Sequence, residues 1–164
     1  MLRTLRRKVL RALSSLFSDR VARGLSRIFS RKLVEQLRTR ATDDFLAALL
    51  RGMDLAFALS RSYREANLER FRARYVFATT DGKVGATAQF EDGDMKVSGE
   101  AADDFTVRVR FKDAAALRRF LFAQKQDVLD SLLNNEVELD GNVNYIYKLG
   151  YMARDLERRL GLAA

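Results

Sequence analysis

The sequence predicts an α+β fold, with N-terminal helices followed by a five-stranded, mainly antiparallel sheet that has helices over one face. Asp81-Gly82 and Asp92-Gly93 each sit between strand-like runs, and Asp-Gly, which reaches positive φ at little cost, is the strongest short-range hairpin signal. Residues 105–111, Phe-Thr-Val-Arg-Val-Arg-Phe, alternate apolar and polar with the period of two that marks a half-buried strand. On both sides of this block, apolar residues return at three- and four-residue steps, as on a helix.

The hairpin signals delimit strands at about 74–80, 84–91 and 94–99. In the second, Val84, Ala86, Ala88 and Phe90 oppose Thr87, Gln89 and Glu91; in the third, Met95 and Val97 oppose Lys96, Ser98 and Glu100. The fourth sets Phe105, Val107, Val109 and Phe111 against Thr106, Arg108 and Arg110, and a fifth, about 136–141, sets Val137 and Leu139 against Glu136, Glu138 and Asp140. In the first strand Tyr75, Val76 and Phe77 compete for the inside. One sheet face is therefore apolar and the other wet, as antiparallel sheets allow, and helices must cover the apolar one.

Thr42-Asp43-Asp44 reads as a helix start, with a capping hydroxyl and acids at the positive end of the dipole. Phe45, Leu46, Leu49, Leu50, Met53, Phe57 and Leu59 follow at helical spacing, and the pattern runs on through Tyr63 and Leu68 toward Phe71. Arg51 and Asp54 interrupt the run, which is too short to span a bilayer. Asp113 caps a helix carrying Leu117, Phe120 and Leu121, continued as one bent helix or two through Val128, Leu129, Leu132 and Leu133. A last helix, about 142–160, carries Val143, Ile146, Leu149, Ala153, Leu156 and Leu160, and its Tyr145, Tyr147 and Tyr151 read as core-edge residues.

The formal net charge of +8 is unevenly placed. Residues 1–40 hold 12 Lys and Arg against Asp19 and Glu35, so this arm carries +10 and the rest of the chain −2. Leu2, Leu5, Val9, Leu13 and Leu16, with Phe17 beside them, form an apolar stripe opposite Arg3, Arg7, Lys8 and Arg11. A second helix, about 19–39, turns Arg20, Arg23, Arg27, Arg31 and Arg38 away from Val21, Leu25, Ile28, Phe29 and Leu33. A basic amphipathic pattern of this kind suits the surface of an anionic membrane; packing on the chain's own domain is the plain alternative. No apolar h-region follows the basic start, so it does not read as a secretory signal, although an Arg-rich, acid-poor start is also shared by mitochondrial presequences. The organisation expected is an arm at 1–40 and a domain at 41–164.

With neither His nor Cys in the chain, disulfides, thiol catalysis and a serine triad are excluded, and zinc or non-haem iron sites lose their usual ligands. The sequence has no P-loop, no dinucleotide fingerprint and no metal-spaced cluster. Asp103-Asp104 and Glu91-Asp92 read as turn chemistry. The chain thus reads as a binder rather than an enzyme, with no cofactor.

The order of these elements resembles the sterol carrier protein type 2 family of lipid-binding domains, from about Arg74 to Leu156. The resemblance is carried by Phe105-Thr-Val-Arg-Val-Arg-Phe-Lys-Asp followed by Ala-Ala-Ala-Leu, and by Val137-Glu-Leu-Asp-Gly-Asn142 entering a helix, where Gly141-Asn142 takes the place of a Gly-Asp pair. Departures from the family pattern are the missing glycine near Ala123-Gln124-Lys125-Gln126 and Asn134-Asn135 where Gly-Lys is common. The resemblance implies an apolar cavity between sheet and helices that holds a lipid, lined by Phe77, Phe90, Phe105, Val107, Val109, Phe111, Leu117, Leu121, Leu132, Val137, Leu139, Ile146 and Met152. Similar small proteins with helical extensions are accessory factors in bacterial ubiquinone biosynthesis, which puts an isoprenoid-quinone intermediate beside sterol, fatty acyl chain and phospholipid as cargo. The partners expected are that lipid, an anionic membrane surface and lipid-pathway enzymes, at a cytoplasmic, peripheral-membrane location. The rival readings are a non-enzymatic scaffold for such enzymes and a nucleic-acid-binding module using the N-terminal arginines, for which no reading motif is present.

Overall fold

The two Asp-Gly pairs make two different turns. In the computed structural model, which describes residues 42–122 and 132–160, β1 (Ala73–Thr79), β2 (Gly85–Glu91) and β3 (Asp94–Ser98) form an antiparallel meander. Asp92 and Gly93 both take positive φ, 52° and 71°, so a two-residue turn closes β2 onto β3 with a twist that matches the strands. At the other turn Gly82 alone takes positive φ and the loop is longer. There Thr79 Oγ1 donates to Asp81 Oδ1 at 2.6 Å and accepts from the Val84 N–H at 3.0 Å.

β4 (Val107–Phe111) then pairs in parallel with β1, and β5 (Val137–Gly141) pairs antiparallel with β4, giving the order β3-β2-β1-β4-β5. Three of the four pairings are antiparallel, as the alternation implied. The register sets Phe77 between Ala86 and Val109, Phe90 beside Met95, and Val109 beside Leu139. These residues share the apolar face.

The competition in β1 has no loser, because Tyr75, Val76 and Phe77 are all buried. Val76 points to the expected wet face, where its neighbours in register are Thr87 and Arg108. Both anchor the connection from β3 to β4. Thr87 Oγ1 donates to the Glu100 carbonyl at 2.7 Å and accepts from the Ala102 N–H at 3.0 Å, and Arg108 donates to the Asp103 carbonyl at 2.9 Å. The connection therefore crosses this face over the central strand and seals Val76 from water. Asp104 in the same connection pairs with Arg74.

Among the described residues, α1 (Thr42–Leu59), α2 (Arg61–Leu68), α3 (Ala114–Phe122) and α4 (Asn144–Leu160) accompany the sheet. The run expected to continue from Thr42 toward Phe71 is broken at Ser60, which leaves helical geometry and caps α2 by accepting from the Tyr63 N–H at 3.3 Å. Asp113 caps α3 as expected, taking the Ala116 N–H at 2.7 Å, and Asn142 Oδ1 takes the Asn144 N–H at 2.9 Å at the start of α4. α1 packs on β2 and β3, α3 on β4, and α4 on α1 and α2. Whether α3 bends or breaks on its way to residue 132 falls on 123–131, outside the described residues, as do the two N-terminal helices expected within 1–40. Among the described residues, no helix is long and apolar enough to cross a membrane.

Two glycines give opposite predictions. Gly141 ends β5 at φ 106°, and a Cβ there would lie 2.5 Å from the Thr106 carbonyl oxygen. Gly141→Ala should destabilise the fold by about 2 kcal/mol or more. Gly150 is inside α4, where a Cβ would meet nothing. Gly150→Ala should stabilise the fold by about 0.5–1 kcal/mol. Urea denaturation of the two variants checks both signs.

Candidate functional site

The apolar sheet face and the helices above it form one continuous cluster. Phe57 stacks on Tyr63 with ring centres 4.2 Å apart, and Phe90 meets Phe57, Phe71 and Tyr75 edge-on at 6.4, 5.4 and 5.4 Å. Phe111 meets Phe120 at 5.5 Å on the β4 side. Of the residues the sequence assigned to this interface, Phe77, Phe90, Val107, Val109, Phe111, Leu117, Val137, Ile146 and Met152 are all buried in the cluster. Leu132 and Leu139 pack against it and remain partly exposed.

Phe105 is a correction. It precedes β4, which begins at Val107, and it is 37% exposed with the Arg108 guanidinium 4.1 Å above its ring. The alternation carried it inward by pattern, but the Thr106 N–H donates to the Arg74 carbonyl and its hydroxyl takes the Arg74 N–H, ending the regular ladder one residue later. Leu121 belongs to α3 by its backbone, and its side chain lies outside the described residues. So do the residues assigned to membrane docking: Leu2, Arg3, Leu5, Arg7, Lys8, Val9, Arg11, Leu13, Leu16, Phe17, Arg20, Arg23, Arg27 and Arg31.

Burial is graded across the interface. Toward β2 and β3, where α1 lies, Phe57, Phe90 and Met95 are at most 1% exposed. Nearer β5, Leu132 and Leu139 are only partly buried and Leu133 is 74% exposed, while Val137 of β5 itself is 4% exposed. Among the described residues, burial is therefore less even at this rim than under α1. The leucines of this rim were visible in the sequence, but their exposure was not, because helical spacing does not say how far a neighbouring helix reaches.

Polar contacts fix the roof. The Tyr63 hydroxyl donates to the Met152 carbonyl at 2.8 Å and the Tyr75 hydroxyl to the Tyr145 carbonyl at 2.7 Å, so a phenol from α2 and one from β1 hold the backbone of α4. Burial pushes both phenols well above the ordinary tyrosine range, and they stay neutral donors. Between α2 and α4, Asn67 donates to the Tyr63 carbonyl at 3.0 Å and to Asp155 Oδ2 at 2.9 Å, and Asp155 also accepts from Arg159 Nε at 3.0 Å. Arg159 reaches Ser62 Oγ at 3.0 Å and lies over the Tyr63 ring. Sequence reading missed this group, since Asn67 and Asp155 carry no motif and meet only in the fold. Tyr147 and Tyr151, expected at the core edge, are instead 59% and 53% exposed, and of the three tyrosines Tyr145 alone packs on the core.

Burial raises the Asp155 carboxyl, but the hydrogen bonds from Asn67 and Arg159 and the charges of Arg159 and Arg158 outweigh it and hold the group below the usual carboxylate range. The folded protein therefore binds this proton less tightly than the unfolded chain. The stability that results is complete above the unfolded value, about 3.9 for Asp, and is lost as pH falls through the lower folded value. Asp155→Asn should be less stable than wild type at neutral pH and decline less steeply below about pH 4, as urea midpoints measured across that range would report.

No family model matches the sequence, and no curated protein matches it. Among solved structures, the chain is similar to a UbiJ-SCP2 ubiquinone synthesis protein, at 17% identity over 69% of this chain and 99% of that one, with a TM-score of 0.47. It is also similar to the sterol carrier protein domain 2 of Helicoverpa armigera, at 12% identity over 71% and 88% of the two chains and a TM-score of 0.48. A third likeness is to the stereoselective inverting sec-alkylsulfatase Pisa1 from Pseudomonas sp., at 19% identity and a TM-score of 0.41, covering 60% of this chain and 15% of that one. These are likenesses of fold. The order of hairpins, strand, helix, strand and closing helix is the one the sequence led us to expect.

Proposed function

We propose that the chain binds and carries a hydrophobic lipid between its sheet and its helices. The observation that carries this reading is the one-sided sheet, whose apolar face meets the helices in one continuous cluster with Leu132 and Leu139 only partly buried at its rim. A lipid held between sheet and helices would lie among Val109, Val137 and Phe111, and each buried methylene contributes about 0.8 kcal/mol. Recognition of this kind needs bulk and apolarity rather than polar matching, which fits an isoprenoid-quinone intermediate, a sterol, an acyl chain or a phospholipid. The two buried phenols are committed to backbone carbonyls, so they brace the site instead of reading a headgroup. Binding without turnover also suits a chain with neither His nor Cys.

In this reading residues 1–40 form the membrane arm and 41–164 the lipid-binding unit. The charge split supports the arm's role, since a carrier must meet a bilayer to load and each Lys or Arg near an anionic surface contributes on the order of 1 kcal/mol.

The test is organic extraction of the purified full chain followed by mass spectrometry. A defined lipid should be recovered, and Leu139→Glu, at a partly exposed position, should lose most of it while remaining folded. Protein that carries no lipid and takes up no fluorescent acyl probe would leave the scaffold reading in its place. Deleting residues 1–17 should separately weaken binding to vesicles containing phosphatidylserine, with lipid content retained. Unchanged vesicle binding after that deletion would count against the arm and not against the carrier.

A further inference from the structure

Helix α4 has a face that neither the core nor the lipid reading uses. Tyr147, Tyr151, Arg154 and Arg158 follow one another at steps of four, three and four residues, which places them on a single line about 16 Å long along the helix. All four are exposed; Tyr147 and Tyr151 are 59% and 53% exposed and the Arg158 side chain 63%. Arg158 makes one contact inward, to Asp155 Oδ1 at 3.3 Å. Lys148 flanks the line with its ammonium 5.3 Å from the Tyr151 ring centre. On the side of α4 turned to the core, Met152 and Asp155 are buried, and the Met152 carbonyl and the Asp155 carboxylate tie α4 to α2. The helix thus presents a rigid row of two amphipathic rings and two guanidinium groups.

We propose that this row is a docking surface for an anionic lipid bilayer, separate from the N-terminal arm. The charge of the chain selects the occupant. The arm carries +10, so it is repelled by Lys148, Arg154 and Arg158 rather than drawn to them. A second copy, itself at +8, would set arginine against arginine. An anionic surface complements both. Tyrosine rings sit well at headgroup level, with the ring body in the apolar margin and the hydroxyl in water, while arginines meet the phosphates. A helix carrying both on one line lies flat at such an interface.

The chain contains no Trp, so Tyr151→Trp in the full-length protein places a single reporter in the row. Its emission should shift to the blue with vesicles of phosphatidylcholine and phosphatidylserine and stay unchanged with phosphatidylcholine alone. In the same background, Arg154→Glu should lower affinity for the anionic vesicles by about ten-fold, with circular dichroism and co-purified lipid unaltered. An emission that ignores both vesicles would overturn the proposal, as would Arg154→Glu binding as tightly as its parent. An equal shift with a polyuridine oligonucleotide, abolished by salt, would assign the row to nucleic acid instead. Because lipid content is read in the same samples, loss of the carrier function and loss of docking are distinguishable.

Discussion

Two hydroxyl groups set the height of the roof. Tyr63 comes from α2 and Tyr75 from the central strand, and each donates to a main-chain carbonyl of α4, at Met152 and Tyr145. A hydrogen bond of this sort contributes only about 1 kcal/mol net, but leaving its buried partner unmet costs more. The geometric effect is larger than the energy. Rings of fixed length stand between sheet and helix, so α4 can neither sink onto β1 nor drift from α2 without breaking one of them. The aromatic stack of Phe57, Tyr63, Phe90 and Tyr75 is assembled against that fixed spacing.

Much of the architecture could be read from particular residues. Asp92-Gly93 made the turn its letters demand, and the alternation from Val107 to Phe111 named the buried face correctly. The errors have a common cause. Phe105 kept the period of its strand but stood two residues before the ladder, and the helical run expected to continue toward Phe71 is broken by a cap at Ser60. Local pattern cannot report where a neighbouring segment takes over a hydrogen bond. Val76 makes the same point from the other direction, since its burial depends on a connection that Thr87 and Arg108 hold across it, and none of these three adjoins another in sequence.

The apolar face was legible in the sequence, and the depth of its cover was not. Nine of the assigned lining residues are buried together, because apolar face and core coincide in a one-sided sheet. How deeply each of them is buried depends on the reach of the covering helices, such as α1 over β2 and β3, and reach is a property of packing rather than of composition. The Asn67–Asp155–Arg159 group lies further still from sequence reading, since Asn67 joins the Asp155–Arg159 pair only when α4 packs on α2.

The sheet ends in two short strands, β3 and β5, each five residues long. Their outward positions are occupied by ionic groups. Lys96 is exposed on β3, and Glu138 and Asp140 on β5 share the Arg110 guanidinium. An incoming strand from another molecule would have to bury these charges to continue the ladder, so neither border is an inviting template for fibrillar growth. Short, charged borders of this kind keep an otherwise apolar sheet from associating edge to edge.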